Sequence, residues 1–199
     1  MDTTSASRKQ VTHDRILDTA ARVLRDSGFQ GVGVADIMKR AGLTHGGFYA
    51  HFPSRDALLV EAVARAGEDS HARLQRAIDA GEEKSGSRFR ALVENYLSDR
   101  HLKAADRGCP VAALISDVPR QSDAVRSAAV ERIASLTATI AATLPGDAAP
   151  DTARLVASHM VGALQIARAL GDNAQGRGHL ASARTFLLEQ FEPRRPRGR

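Results

Sequence analysis

Thr44, His45, Gly46, Gly47, Tyr49 and His51 crowd into one short part of the stretch VADIMKRAGLTHGGFYAHF, Val34 to Phe52. Together they offer a hydroxyl, two imidazoles, a phenol and bare backbone, the groups that hydrogen-bond to phosphates and base edges rather than break bonds. The residues before them must position them. Val34, Ile37, Met38 and Ala41 recur at helical spacing and form one apolar stripe on a short helix. Gly42 then supplies a turn, since a residue without Cβ takes positive φ at no steric cost. Thr44 follows as an N-cap, its hydroxyl placed to accept from a backbone N–H of the next helix. In that second helix Phe48 and Phe52 are four apart and face a core. Two short helices joined by a Gly-containing turn make the helix-turn-helix pattern, whose second helix enters the DNA major groove. Thr44, His45 and Gly46 open that helix, where base edges are reached. Its glycines each cost about 1 kcal/mol relative to Ala in a helix interior. Two accounts fit them: close approach of the backbone to DNA, or tight packing against the first or second helix.

The spacing GFxxxxVxDIxxxAGxxxGxFYxHFxSxxxL carries a resemblance. Gly28, Phe29, Val34, Asp36, Ile37, Ala41, Gly42, Gly46, Phe48, Tyr49, His51, Phe52, Ser54 and Leu58, with Leu43 and Gly47 between them, match the amino-terminal signature of the Tet-repressor (TetR/AcrR) family of bacterial transcription factors. The resemblance spans residues 12–60 and implies an all-α chain, with a three-helix DNA-binding head on a helical effector-binding and dimerisation body. It also implies phosphate contacts at Tyr49, His51 and Arg55, Arg55 being a cation in a helix first turn that needs compensation. Gly33 departs from the family's Ser or Thr at the N-cap of the second helix. Glycine is acceptable there, and the helix start still suits a phosphate.

Composition agrees with a DNA-binding head. The 199 residues carry a net charge of +5, with hydrophobic residues at 43%. Residues 1–57 have a balance of +2, residues 58–190 of zero, and the end from Phe191 of +3 through Arg194, Arg195, Arg197 and Arg199. The basic character therefore sits at both ends. One cysteine excludes an internal disulfide framework and a Cys-rich zinc site. No apolar run reaches the roughly 18 residues that span a bilayer, and MDTTSASRKQ lacks the apolar core of a secretory signal. These features point to a cytoplasmic chain with no membrane, metal or cofactor. The expected domains are a head over 1–57, a body over 58–191 and a basic tail over 192–199.

In chain order, residues 1–11 read as a polar flexible arm, with Arg8 and Lys9 able to meet phosphate. Thr12 is the expected N-cap of helix 1, and Gly28 ends it, with Phe29 and Val32 packing beside it. Pro53 stops the recognition helix and Ser54 caps the next, which runs to about Ala80. GEEKSGS reads as a hinge. A helix carrying Phe89, Val93 and Tyr96 follows, then a short one over 110–118 between Pro110 and Pro119. Ser122 caps a helix to about Leu144, Asp151 caps Thr152–Leu170, and a last helix covers Leu180–Phe191. That makes about nine helices. The helix over 152–170 is apolar nearly all round, so it is buried on several sides. A two-fold dimer through Leu155, Leu164, Leu180 and Leu187 would bury that surface.

The function that follows is a ligand-responsive repressor of double-stranded operator DNA. An unknown small molecule would favour a body state whose heads are spaced wrongly for a palindromic site. Candidate effector residues are Phe89, Val93, Tyr96, Cys109, Val111, Leu114, Ile115, His159 and Met160, each of which also fits plain core packing. Cys109 precedes Pro110, which suits N1, so the thiol is expected at an N-cap. It could be a sensor thiol, as in some Tet-repressor relatives that respond to electrophiles or oxidants, or a small buried residue. Two other classes remain. An enzyme would need a nucleophile elbow, a phosphate-cradling GxxxxGK or a metal-ligand cluster, and no such pattern occurs. A helical adaptor without DNA binding would have no use for HGGFYAHF.

Overall fold

The computed structural model describes residues 3–31, 33–146, 148–149 and 151–192. Val32 and the arginines of the tail lie outside these residues. Among them the chain forms nine α-helices and three short 3-10 helices. It divides into two compact units, Met1–Ser70 with Ala105–Arg132, and His71–Ala104 with Ile133–Arg199.

The first unit opens on α1, Thr3–Ser27. The expected arm over residues 1–11 is corrected here: from Thr3 onward the chain is already helical. No Gly or Pro interrupts the first 27 residues, so nothing stops the helix from running back. Thr12 is interior, its hydroxyl donating to the Arg8 carbonyl at 3.0 Å rather than capping. Gly28 ends α1 with φ +71°, its N–H donating to the Leu24 carbonyl at 2.9 Å. α2 (Val34–Arg40) starts from Gly33, extended at φ −79°, with Asp36 in its first turn and Lys39 and Arg40 in its last. Those charges complement the helix dipole. Gly42 takes φ +70°, as the turn requires. α3 (Arg55–Ser85) begins where Ser54 Oγ accepts from the Ala57 amide at 3.1 Å.

Later residues complete this unit. α6 (Pro110–Leu114) and the amino-terminal part of α7 (Asp123–Ala141) belong to it. Leu114, Val118, Val125, Ala128 and Ala129 share one buried core with Ile16, Leu24, Phe29, Ile37, Met38, Phe48, Phe52 and Leu58. The expected helix over 110–118 is shorter. It ends at Leu114, and the Asp117 amide turns back to the Leu114 carbonyl at 2.9 Å. Pro119 has no N–H to continue an α-helix, and a 3-10 turn at Val118–Arg120 takes over.

The second unit holds the carboxyl-terminal half of α3, then α4 (Arg88–Tyr96), α5 (Asp99–Lys103), α8 (Thr152–Leu170) and α9 (Ala174–Phe191). The expected hinge over 81–87 is helix as far as Ser85. Gly81 is a packing glycine: a Cβ there would lie 2.5 Å from Ala91 Cβ, so α4 crosses α3 closely at that point. The real break is Gly86 at φ +71°, followed by Ser87, which accepts from the Arg90 amide. α5 was not legible as a separate helix; Ser98 caps it, accepting from the His101 amide at 3.2 Å. α8 has the expected range, though Asp151 makes no capping bond and instead pairs with Arg154 at 2.8 Å. α9 begins six residues before the expected Leu180, because Asn173 caps it through the Gln175 and Gly176 amides. No helix among the described residues is long and apolar enough to cross a membrane.

Candidate nucleic-acid interface

The glycine-rich turn after α2 is carried by Phe48 and Phe52. Both rings are buried and lie 5.7 Å apart, stacked, so the segment between them is fixed by burial on its inner side. The expected second α-helix is instead a six-residue 3-10 helix, His45–Ala50. Two consecutive glycines weaken α propensity and the segment is short, which favours the tighter winding. With three residues per turn, Gly46 and Tyr49 fall on one ridge. Thr44 is extended at φ −80°, ψ 149°, as an N-cap should be, but its hydroxyl makes no capping bond.

The outer surface of this turn is Thr44, His45, Gly46, Tyr49 and Ala50, with Tyr49 71% exposed. Its ring stands edge-on to Phe48 at 5.2 Å. The glycines have room inside the protein. A Cβ on Gly46 would meet nothing within 4 Å, and one on Gly47 would meet only Met38 Cε at 3.8 Å and Thr44 Oγ1 at 3.9 Å. Packing against α1 or α2 therefore does not require glycine at either position.

His51 is half-buried and its Nδ1 is enclosed without a hydrogen-bond partner. Burial holds its pKa below the usual imidazole value, and the nearby His13 and Lys9 push in the same direction. His13 is a neighbour that sequence reasoning missed. Its ring stacks on Phe52 at 4.5 Å, lies 6.2 Å from His51, and its Nε2 is 2.9 Å from Glu61. With helix 1 begun at Thr12, His13 reads as a first-turn residue with no face to share. Arg55 has an internal partner: its Nη2 donates to the Phe29 carbonyl at 2.6 Å. The rest of the side chain is exposed at the start of α3. Gly33 sits at the start of α2 with open space about its α-carbon. Arg8 and Lys9 are exposed on α1.

This arrangement of two short helices with a polar, partly bare outer turn is matched by known proteins. Residues 16–62 match the model for bacterial regulatory proteins of the tetR family, and residues 85–183 that for the tetracyclin repressor-like carboxyl-terminal domain. The HTH-type transcriptional regulator Rv0196 of Mycobacterium tuberculosis is 31% identical over 174 residues, covering 82% of this chain and 87% of the relative. The chain belongs to the TetR family. It is a DNA-binding transcriptional regulator with the family's all-α fold and helix-turn-helix head. The HTH-type transcriptional repressor NemR of Escherichia coli is 28% identical over 117 residues, 59% of each chain. The solved structure of its reduced form superposes with a TM-score of 0.75 at 21% identity, covering 92% of this chain and 99% of that one. A TetR-family regulator from Agrobacterium tumefaciens gives 0.73 at 21% identity, covering 92% and 98%.

In this TetR-family chain the expected effector residues fall into both units. Cys109, Val111, Leu114 and Ile115 belong to the unit that holds the 3-10 helix His45–Ala50. Leu114 is part of that unit's core, and Cys109, 5% exposed, caps α6 with an extended backbone but no side-chain capping bond. Phe89, Val93, Tyr96, His159 and Met160 belong to the second unit, all buried except the half-buried His159. His159 stacks on Phe186 at 5.0 Å, and its Nε2 is enclosed without a partner.

The residues expected at a dimer interface differ in exposure. Leu164, Leu180 and Leu187 are buried within the chain itself, and α8 and α9 pack against each other. Leu155 is 67% exposed, and the other large apolar side chains exposed on these helices are Ile166 and Phe186. On α8 the positions Leu155, His159, Gly162 and Ile166 recur at helical spacing and form one stripe.

Proposed function

We propose that this regulator is a homodimeric repressor that binds a palindromic duplex through the turn Thr44–His51 and is released by a small molecule. What carries the DNA contact is the glycine pair. Two exposed or half-exposed glycines with room for a side chain, beside an exposed tyrosine, fit a surface shaped by something outside the protein. A duplex backbone approaching closely is that object. Tyr49 and His51 would bond its phosphates, and Thr44 and His45 would reach base edges. NemR, a named repressor, supports the sign of regulation.

For the dimer, the support is the stripe Leu155–His159–Gly162–Ile166 with Phe186 beside it. Gly162 has open space around its α-carbon, as the DNA-facing glycines do, so a second helix can approach there. A two-fold pairing through this stripe sets two heads at half-site spacing. Release is placed on a small molecule rather than on Cys109, because the thiol is buried.

The experiment is a Gly46→Ala and a Gly47→Ala variant, each measured for stability and for binding to a duplex selected by the wild type from a random pool. Stability should hold or rise by up to about 1 kcal/mol, since alanine is the better helix former. Affinity should drop tenfold or more, about 1.4 kcal/mol. Wild-type affinity in both variants would remove the basis for the close approach.

A further inference from the structure

Arg25, at the end of α1, is a charged side chain only 4% exposed. A guanidinium in that position needs acceptors, because an unpaired buried charge is strongly destabilising. It finds them on two other segments. Nε donates to the Asp106 carbonyl at 2.7 Å and Nη1 to the Ala66 carbonyl at 3.1 Å, while Nη2 lies 3.7 Å from Asp69. The planar fork thus joins α1, the middle of α3 and the 3-10 turn Ala105–Arg107.

Both ends of this junction lead somewhere. Beyond Asp106 the chain runs directly into Cys109 and α6, whose Leu114 enters the core beneath the DNA-facing turn. Asp117 returns to the end of α1, its carboxylate close enough that a Cβ on Gly28 would lie 3.2 Å away. In the other direction α1 passes through Gly28 to Phe29, whose carbonyl holds Arg55 at 2.6 Å. Arg55 begins α3 immediately after the turn that carries Phe48, Tyr49 and Phe52.

We propose that Arg25 is the positioning residue that couples the segment 105–114 to the DNA-facing turn. The proposal rests on the DNA-binding reading of the head and adds the route by which a change elsewhere reaches it. A displacement of 105–114 must either break the Arg25–Asp106 bond, leaving a buried guanidinium short of an acceptor, or carry α1 along. The first is unfavourable, so segment and helix move together. Phe29 and Arg55 then pass the movement to the start of α3 and the turn before it. Lysine is a poor replacement here, since one ammonium lacks the planar fork that donates to carbonyls on two segments while facing Asp69.

The thiol of Cys109 reports on the segment, because a buried thiol reacts only when its surroundings open. Full-length protein is alkylated with iodoacetamide with and without saturating selected duplex, as wild type and as Arg25→Lys. Coupling is reciprocal, so duplex bound at the turn must slow opening at 105–114. The expected result is a slowing of about fivefold or more in wild type and less than about twofold in Arg25→Lys that still binds duplex. Equal slowing in both proteins, or none in wild type, overturns the proposal. If Arg25→Lys does not fold, amide exchange of the wild type decides. Duplex must then raise protection at Ala113 and Ile115, whose amides bond to Cys109 and Val111, and unchanged exchange there overturns it. A wild type that retains no duplex overturns the DNA reading and this proposal with it, and shows directly as a missing complex.

Discussion

At the scale of single residues, burial decides what each side chain can do. His101 on α5 places Nδ1 2.7 Å from the Tyr96 carbonyl and its ring edge-on to Tyr96 at 4.8 Å. A carbonyl only accepts, so Nδ1 carries the proton and donates. Burial is the largest influence and lowers the pKa to about 4, with Arg168 and Arg73 adding to the effect and the Tyr96 bond opposing it. A base depressed in the folded state gives stability that is complete above its unfolded pKa of 6.5 and is lost as pH falls toward 4. The full loss is about 3 kcal/mol. Urea unfolding between pH 6.5 and 5 should therefore show a steeper slope in wild type than in His101→Gln, by about one proton. Equal slopes would place the proton uptake elsewhere. The sequence did not reveal this group, since a histidine in SDRHLK reads as a surface residue until α5 is seen to be packed. Phe48 and Phe52 were legible, because four-residue spacing beside Gly and Pro leaves them one inner face. His13 was not: its partners Phe52 and Glu61 are neighbours only in space.

Among the elements, glycine is what the sequence could locate but not interpret. Gly42 at a turn and Gly81 inside a helix look alike as letters, and both read as breaks. Gly42 does turn the chain, at φ +70°. Gly81 instead stays helical, because a close crossing with α4 needs the missing side chain there. Gly176 is the same case: a Cβ would lie 2.1 Å from the Gly171 carbonyl oxygen, so α9 begins against the end of α8. The crossing at Gly81 makes a paired test. Gly81→Ala forces two methyl groups to 2.5 Å and should destabilise by about 1 to 3 kcal/mol on urea unfolding. Adding Ala91→Gly removes the opposing methyl and should recover most of that loss, less about 1 kcal/mol for a second helical glycine. If the double variant is no more stable than Gly81→Ala, the crossing is not what requires the glycine. Long apolar runs with firm ends were easier, which is why α8 matches its expected range while α9 and α1, with weaker signals, begin earlier.

For the whole molecule, the fold class was legible and the partition into units was not. Helical periodicity without strand alternation gives an all-α chain, and the fixed residues of the head give its family. Local pattern cannot say which core a distant helix joins. Leu114 reads as an effector candidate or plain core, and Val118 only as part of the expected short helix, yet both join the core that holds Phe48 and Phe52. The same limit applies to the dimer contacts. The apolar surplus of α8 and α9 was visible, but not which leucines are buried within the chain. Leu164, Leu180 and Leu187 are used internally, leaving Leu155, Ile166 and Phe186 outside. If a second copy covers that face, Leu155→Arg and Ile166→Arg should leave the fold cooperative, because neither side chain is needed in the core. Each buries a charge only when two copies meet, so the dimer alone is penalised. Sedimentation velocity at micromolar concentration should then show a wild-type dimer and variant monomers. Since two half-sites act together, the monomers should lose most duplex affinity although their DNA-facing turn is unaltered. Leu187→Arg is the contrast, because a charge forced into the monomer core should lower stability at any concentration. Dimers that persist in both surface variants would move the interface off this stripe.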